Sequence, residues 1–345
     1  MKTLAFYDTK PYDKQSFEQQ LKDTDEIRFK YFENKLNPDT AIMAKGCDGV
    51  VAFVNDTIDA RTIENLYNNG IQLIAMRCSG YNNIDFKAAY GKIHVLRVPA
   101  YSPYAVAEHA IGMLLTLNRK IHRGYNRTKD FNFSLSGLTG FDLHGKTIGV
   151  IGTGKIGQKF VDICNGFGMK VLAYDPYPVE NLKAEYVSVD ELCSQSDIIS
   201  LHCPLTKDTK YIINDHSIKL MKENAIIINT SRGALIDSEA LLEALKSKRV
   251  GGAALDVYEE ESELFFEDNS DTIIQDDVLA RLLSLPNVLV TSHQAFLTNE
   301  ALEGIAKVTI QNIKDFFDEK RLDNEICYHC TKGGGCKKEH KLRCF

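Results

Sequence analysis

No stretch of the sequence approaches the run of about 18 apolar residues that a membrane-spanning helix requires, so no helical span is expected. Positive charge is not in excess either: 41 Lys and Arg face 47 Asp and Glu, for a net charge of −6. Without a broad basic field there is nothing to attract a polyanion, which argues against a nucleic-acid partner. The opening segment, Met1-Lys2-Thr3-Leu4-Ala5-Phe6-Tyr7-Asp8, lacks the longer apolar stretch and small-residue cleavage site of a secretory signal, and it reads as a first strand. These absences make a cytoplasmic protein the expectation. There is also no internal repeat and no low-complexity linker.

What is present is an ordinary globular composition, 44% hydrophobic and 26% charged, over 345 residues. That length exceeds the ~250–300 residues at which one core stops growing, so two domains are expected. Short apolar runs alternate with amphipathic stretches over residues 1–100. The segments 3–7, 27–31, 49–53, 71–75 and 93–96 read as strands, with 13–23 and 58–68 as helices between them. Such alternation implies a parallel sheet covered on both faces. A proline-bracketed break at 99–103 precedes a long helix over 104–122, with Val106, Ala110, Met113, Leu114 and Leu117 on one face. The polar, aromatic stretch 124–140 reads as an arm that meets another subunit.

A second series supplies six further strands, at 147–151, 171–174, 198–201, 225–229, 252–256 and 288–291, the number expected of a doubly wound dinucleotide fold. A last amphipathic helix covers 299–319. The domains expected are 1–100 with 299–325, then 101–298, then a cysteine-rich tail at 326–345.

The first strand of the second series runs into Gly152-Thr153-Gly154-Lys155-Ile156-Gly157, a G-x-G-x-x-G between a strand and an amphipathic helix. Gly152 permits the tight turn, Gly154 lets backbone approach a pyrophosphate, and Gly157 allows close helix–strand packing; the helix N-terminus offers free N–H groups to phosphate. The next strand ends in Asp175, 18 residues past Gly157. A carboxylate there accepts from both ribose hydroxyls and repels a 2′-phosphate, and Pro176-Tyr177 supplies no arginine, so NAD is expected over NADP. The cofactor site is expected to extend over Cys203, Pro204, Thr209, Thr230, Ser231 and Arg232.

With Asn229-Thr230-Ser231-Arg232-Gly233-Ala234-Leu235-Ile236-Asp237, Ala254-Leu255-Asp256-Val257-Tyr258-Glu259-Glu260-Glu261 and Thr291-Ser292-His293-Gln294-Ala295-Phe296, the chain resembles the D-isomer-specific 2-hydroxyacid dehydrogenase family, in its D-lactate dehydrogenase branch, over residues 1 to about 325. The resemblance implies an α/β fold of two Rossmann-like or flavodoxin-like parallel-sheet domains with an active-site cleft between them. It places the catalytic Arg, Glu and His at Arg232, Glu261 and His293, and has Asp256 orient the nicotinamide end of the cofactor. On composition alone, Glu259-Glu260-Glu261 leaves the choice of glutamate open. A 2-oxo acid asks for these residue types in any case. Its carboxylate needs a permanently charged, bidentate partner, which a guanidinium provides. The alkoxide formed on reduction needs a proton, which imidazole delivers near neutral pH. A carboxylate beside the imidazole favours its charged form. Ser79 and Gly80 are expected to share the substrate carboxylate through backbone N–H groups, with Tyr101, Phe296 and Phe53 lining a small pocket. Three aromatics suit a methyl side chain, hence pyruvate and D-lactate. The competing readings are an enzyme for a bulkier 2-oxo acid, such as 2-oxoisocaproate or phenylpyruvate, and an NADH-sensing binding protein of the same fold. A homodimer is expected.

The nine cysteines fall into two groups. Cys47, Cys78, Cys164, Cys193 and Cys203 lie mostly in apolar segments and read as buried, reduced thiols. Cys327, Cys330, Cys336 and Cys344 crowd into the last nineteen residues, where C-x2-C spacing can hold zinc or an iron–sulfur cluster. A flexible or redox-sensitive thiol tail is the alternative.

Overall fold

Runs of four or five apolar, largely β-branched residues between turns are too short for helices, and in the computed structural model they form strands buried on both faces. The structure describes residues 1–22, 25–260, 264–331 and 342–345. The chain divides into two units, Met1–Ser102 with Thr298–Phe345, and Pro103–Leu297.

The first unit opens with β1 (Lys2–Phe6), α1 (Pro11–Leu21), β2 (Ile27–Tyr31), β3 (Gly49–Ala52), α2 (Ala60–Asn68), β4 (Leu73–Met76), α3 (Phe86–Ala89) and β5 (His94–Leu96). The second contains α4 (Pro103–Arg119), α5 (Ile121–Lys129), β6 (Thr147–Ile151), α6 (Lys155–Gly166), β7 (Lys170–Tyr174), β8 (Glu185–Tyr186), α7 (Val189–Gln195), β9 (Ile198–Leu201), α8 (Asp215–Leu220), β10 (Ala225–Asn229), α9 (Ser238–Lys246), β11 (Val250–Leu255), α10 (Asp277–Ser284) and β12 (Val288–Val290). The chain then returns to the first unit with α11 (Asn299–Phe317), β13 (Glu325–Ile326) and α12 (Tyr328–Thr331).

In the first unit the sheet order is β13-β5-β4-β3-β1-β2, all parallel except β13, which runs antiparallel to β5. Phe6, Phe17 and Phe29 meet edge-to-face in its core, with centroids 4.9–5.5 Å apart.

In the second unit the order is β12-β11-β10-β9-β6-β7-β8, parallel throughout. Alternate residues of a strand enter opposite cores: Ile226 and Ile228 of β10 join α4 and α6, while Ile227 joins α7, α8, α9 and α10 on the other face. The chain winds outward from β6 to β8 and then crosses to β9 on the other side of β6. This puts the topological switch point, where ligands of such sheets bind, between the carboxyl ends of β6 and β9.

Three elements differ from expectation, and the first is β13, which adds a sixth, antiparallel strand to the parallel sheet expected of the first unit. The long helix over 104–122 is two helices, because Lys120 takes a left-handed φ of 52° between α4 and α5. Asn118 fixes the break by exchanging hydrogen bonds of 2.7 and 3.0 Å with the backbone of Phe141. The arm over 124–140 is accordingly helical up to Lys129. The second sheet also gains a seventh strand, β8, whose two residues are too few to show a periodicity.

Candidate active site

β6 delivers its chain into the glycine turn. Gly152 has a φ of 99°, and a Cβ there would lie 2.6 Å from the backbone of His202 and Cys203, where β9 exits. A Cβ on Gly157 would come within 2.0 Å of the Gly152 carbonyl oxygen. Gly154 is different: it has open space where a Cβ would stand. As N-cap of α6 it offers no side-chain oxygen, so the helix presents its first-turn N–H groups outward, with the exposed Lys155 and half-buried Ile156 beginning that turn. At β7's end Asp175 accepts from Thr153 N (2.7 Å) and Tyr177 N (2.9 Å). A carboxylate has about four acceptor positions, so capacity for a diol is left.

The loop after β9 is shaped by its own hydroxyls. Thr209 Oγ1 donates to Pro204 O (2.7 Å), and Ser231 Oγ donates to Cys203 O (2.6 Å), tying it to the turn after β10. Burial pushes the Cys203 thiol up to about 12, so it stays protonated. The buried Thr230 hydroxyl has no hydrogen-bond partner among the described residues. An open cradle at Gly154, an uncapped helix N-terminus and an orphaned buried hydroxyl together fit a dinucleotide.

β10 ends at Asn229, whose side chain clamps the following turn: it accepts from Ser231 N (3.0 Å) and donates to Arg232 O (2.8 Å). This leaves Arg232 half-buried with extended backbone, its Nη1 donating to Ser231 O at 2.7 Å. The next residue must be glycine, since a Cβ on Gly233 would lie 2.0 Å from the Tyr258 carbonyl carbon.

Asp256, 0% exposed just past β11, organises the loop after β12. Its Oδ1 accepts from Thr291 Oγ1 (2.5 Å) and Gln294 N (2.9 Å), its Oδ2 from Ala295 N (2.8 Å), and His109 Nε2 stands 3.4 Å from Oδ1. Burial alone drives this carboxyl's pKa up; the hydrogen bonds from His109, Thr291 and Ala295 outweigh burial and hold it below the usual carboxylate range. The Asp256 carbonyl accepts from His293 N at 2.7 Å. His293 thereby sits in a left-handed conformation, φ 53°, one that histidine adopts more readily than most side chains. Its ring lies 5.6 Å from that of Phe266, tilted by 38°.

Of the acidic run, Glu259 is engaged structurally, accepting from Tyr211 Oη and, at 3.2 Å, from Ser238 Oγ. Glu260 is exposed, and Glu261 lies outside the described residues.

The first unit holds its own candidates at the carboxyl ends of β3 and β4. Arg97 Nη1 donates to Ser79 O (3.1 Å), and Cys78 Sγ approaches Gly80 O at 3.3 Å, fixing that loop. Phe53 is buried, its ring 4.0 Å beneath the guanidinium of Arg77. Tyr101 is half-buried against Gly304 of α11. Phe296, of the second unit, is buried beside Ala295. In the tail, the thiols of Cys327, Cys330 and Cys344 lie within 4.8 Å of one another, while Cys336 falls outside the described residues.

Several contributors escape sequence reading. His109, Asn229 and Phe266 belong to the site's framework, yet only Asn229 lies in a recognisable motif, and its clamp depends on side-chain geometry. His109 sits in the middle of α4, 147 residues from the carboxylate it meets.

Comparison with known proteins agrees with this geometry. Residues 111–295 match the family model described as D-isomer specific 2-hydroxyacid dehydrogenase, NAD binding domain. The chain is 51% identical over 327 residues to D-lactate dehydrogenase of Escherichia coli, covering 94% of this chain and 99% of that protein. The solved apo-structure of the Escherichia coli enzyme covers the same shares, with a TM-score of 0.86. D-2-hydroxyisocaproate dehydrogenase superposes with a TM-score of 0.83 at 34% identity, covering 94% of this chain and 99% of its own. The chain belongs to the D-isomer specific 2-hydroxyacid dehydrogenase family.

Proposed function

We propose that this chain is an NAD-dependent D-lactate dehydrogenase that reversibly reduces pyruvate to D-lactate. The observation that carries this reading is the 51% identity to a D-lactate dehydrogenase over 94% of the chain. Bound NADH supplies the hydride. Gly152, Gly154 and Gly157, the first turn of α6, Asp175 and the 203–209 and 230–231 loops hold the dinucleotide, with Asp256 supporting the nicotinamide end. Arg232 grips the substrate carboxylate with its planar fork, aided by backbone N–H groups at Ser79 and Gly80. His293 donates a proton to the carbonyl oxygen during reduction and accepts it in the reverse direction. Glu261 is the carboxylate partner of the imidazole, and Tyr101, Phe53 and Phe296 restrict the side-chain pocket.

Phe131, Phe133 and Leu135 are 71–85% exposed, and such a cluster supports a homodimer formed through this arm. No helix among the described residues is long and apolar enough to cross a membrane. Buried free thiols at Cys47, Cys78, Cys164, Cys193 and Cys203 are compatible with the cytoplasm, where we place the enzyme.

The test is NADH oxidation with pyruvate, 2-oxoisocaproate and phenylpyruvate, scored by kcat/KM, with the lactate product assayed for chirality. Pyruvate is expected to lead by at least ~10-fold, the usual worth of a small pocket's size discrimination. A bulkier acid in the lead reassigns the substrate. NADH binding with no turnover of any of them makes the chain a sensor.

A further inference from the structure

The end of the chain carries a cluster that the dehydrogenase chemistry does not use. Cys327 follows β13 and is buried; the short turn of α12 folds back on it, with Cys330 N donating to Cys327 O at 3.0 Å. The two sulfurs stand 3.7 Å apart. A third thiol arrives from the opposite direction along the chain. Cys344 N donates to Glu325 Oε2 at 2.8 Å, and the residues on either side of Cys344 are anchored as well. Arg343 Nη2 donates to Phe316 O (2.6 Å), while the Phe345 ring stacks on His94 at 4.1 Å with 13° between planes. Glu325 is itself fixed through its other oxygen, 2.6 Å from His94 Nδ1.

The result is three sulfurs converging within 4.8 Å, held by these backbone and ring contacts together with hydrogen bonds of the Cys344 thiol to Glu325 and Cys327. A disulfide needs about 2.05 Å between sulfurs, so Cys327 and Cys330 are separate thiols. A tetrahedral ion with bonds of about 2.3 Å to sulfur places its ligands about 3.8 Å apart, which matches the observed 3.7 Å. We propose that Cys327, Cys330 and Cys344 are ligands of a structural zinc ion that fastens the chain end to the first unit. Thiolate ligands select a borderline-soft ion such as zinc over magnesium or calcium, which take oxygen. Iron with labile sulfide, the other occupant that cysteine ligands hold, is distinguished by metal analysis. Binding releases the three thiol protons, leaving one position of the tetrahedron for a further ligand, so occupancy falls as the solution is acidified.

The experiment uses the full chain without an affinity tag, purified reduced and anaerobically, with metal measured by plasma mass spectrometry and exposed thiols counted by a colorimetric reagent. About one zinc per chain is expected, as for any single site of this type. Cobalt substitution should give the thiolate charge-transfer absorption and the strong visible bands of tetrahedral coordination. Cys330→Ser and Cys344→Ser should lose the metal and the rise in Tm that zinc confers, while NADH-dependent turnover is retained. Cys47→Ser should keep all of these. Three results overturn the assignment: chain that stays metal-free with unprotected thiols after incubation with zinc chloride, iron with acid-labile sulfide, or a native Cys327–Cys330 disulfide.

Discussion

The carboxylate of Asp256 is where one atom's replacement should be felt furthest. In Asp256→Asn the amide can keep its oxygen toward Ala295 or toward Thr291 and Gln294, but not both. One backbone N–H then faces an NH2 group in a site with 0% exposure, where water cannot compensate. Leaving one buried donor unsatisfied costs about 1–3 kcal/mol, and the loss of charge-assisted bonds puts this case at about 2–3 kcal/mol. For a unit of this size that corresponds to a fall in Tm of about 4–12 °C. The damage should also be directional, since the loosened 291–295 loop carries His293. A displacement of about 1 Å at the acid–base group is expected to lower kcat by about 10²-fold. The pH dependence supplies an independent check. The folded carboxyl titrates below its unfolded value, so its contribution is complete above a pH of about 4–5 and is lost as pH falls through the folded value. The stability gap between wild type and Asp256→Asn should therefore be constant at neutral pH and close on acidification. Calorimetry across that range checks it; equal Tm values at neutral pH, or a gap that survives full acidification, would refute the reasoning.

The second and third glycines of the turn should separate cleanly. Gly157→Ala drives a Cβ into the Gly152 carbonyl and should lower both Tm and NADH affinity, whereas Gly154→Ala meets nothing in the free chain and should lower affinity alone, as read by calorimetry beside NADH fluorescence titration. Asp175→Ala should narrow the preference for NADH over NADPH and cost about 1–2 kcal/mol, because Thr153 and Tyr177 lose their acceptor; equal wild-type use of both cofactors would contradict the role. His293→Asn, which tolerates the left-handed backbone better than alanine, should lower kcat by about 10²–10⁴ with NADH affinity preserved, while Arg232→Lys should act mainly on KM for pyruvate. Steady-state kinetics beside cofactor titration distinguishes these outcomes.

Most strands were legible in the sequence because nothing competes with an apolar, β-branched run bounded by turns. The segments 27–31, 147–151, 198–201 and 225–229 have the bounds their periodicity predicts. The failures share a cause. At Lys120 no glycine or proline announces a left-handed residue; the turn is held by Asn118 and Phe141, which lie 23 positions apart. β8 forms only because β7 offers it an edge. Local pattern cannot report what distant partners impose.

The same distinction applies within the site. Steric need is readable: Gly152, Gly157 and Gly233 stand where any Cβ would strike backbone, so their identity follows from spacing and turn chemistry. Electrostatic connection is not. Glu259 and Glu260 are indistinguishable as letters, yet one is bound to Tyr211 and Ser238 while the other faces solvent. Asp256 illustrates the limit further. A motif places it at the carboxyl end of a strand, but its depressed pKa comes from a histidine in α4 and from Thr291 and Ala295 beyond β12, which outweigh burial. The His293 position is thus the product of a strand end, a buried carboxylate and a helix on the sheet's face, joined only by folding. A substitution at His109, which no motif contains, is accordingly expected to act through Asp256 on the loop that carries the proton donor. His109→Phe preserves a ring in α4 while removing the donor 3.4 Å from Asp256 Oδ1. The loss of that favourable partner should raise the Asp256 pKa, so that acid destabilisation sets in at higher pH than in the wild type. An unchanged acid transition in His109→Phe would place the carboxylate's stabilisation wholly in Thr291, Gln294 and Ala295.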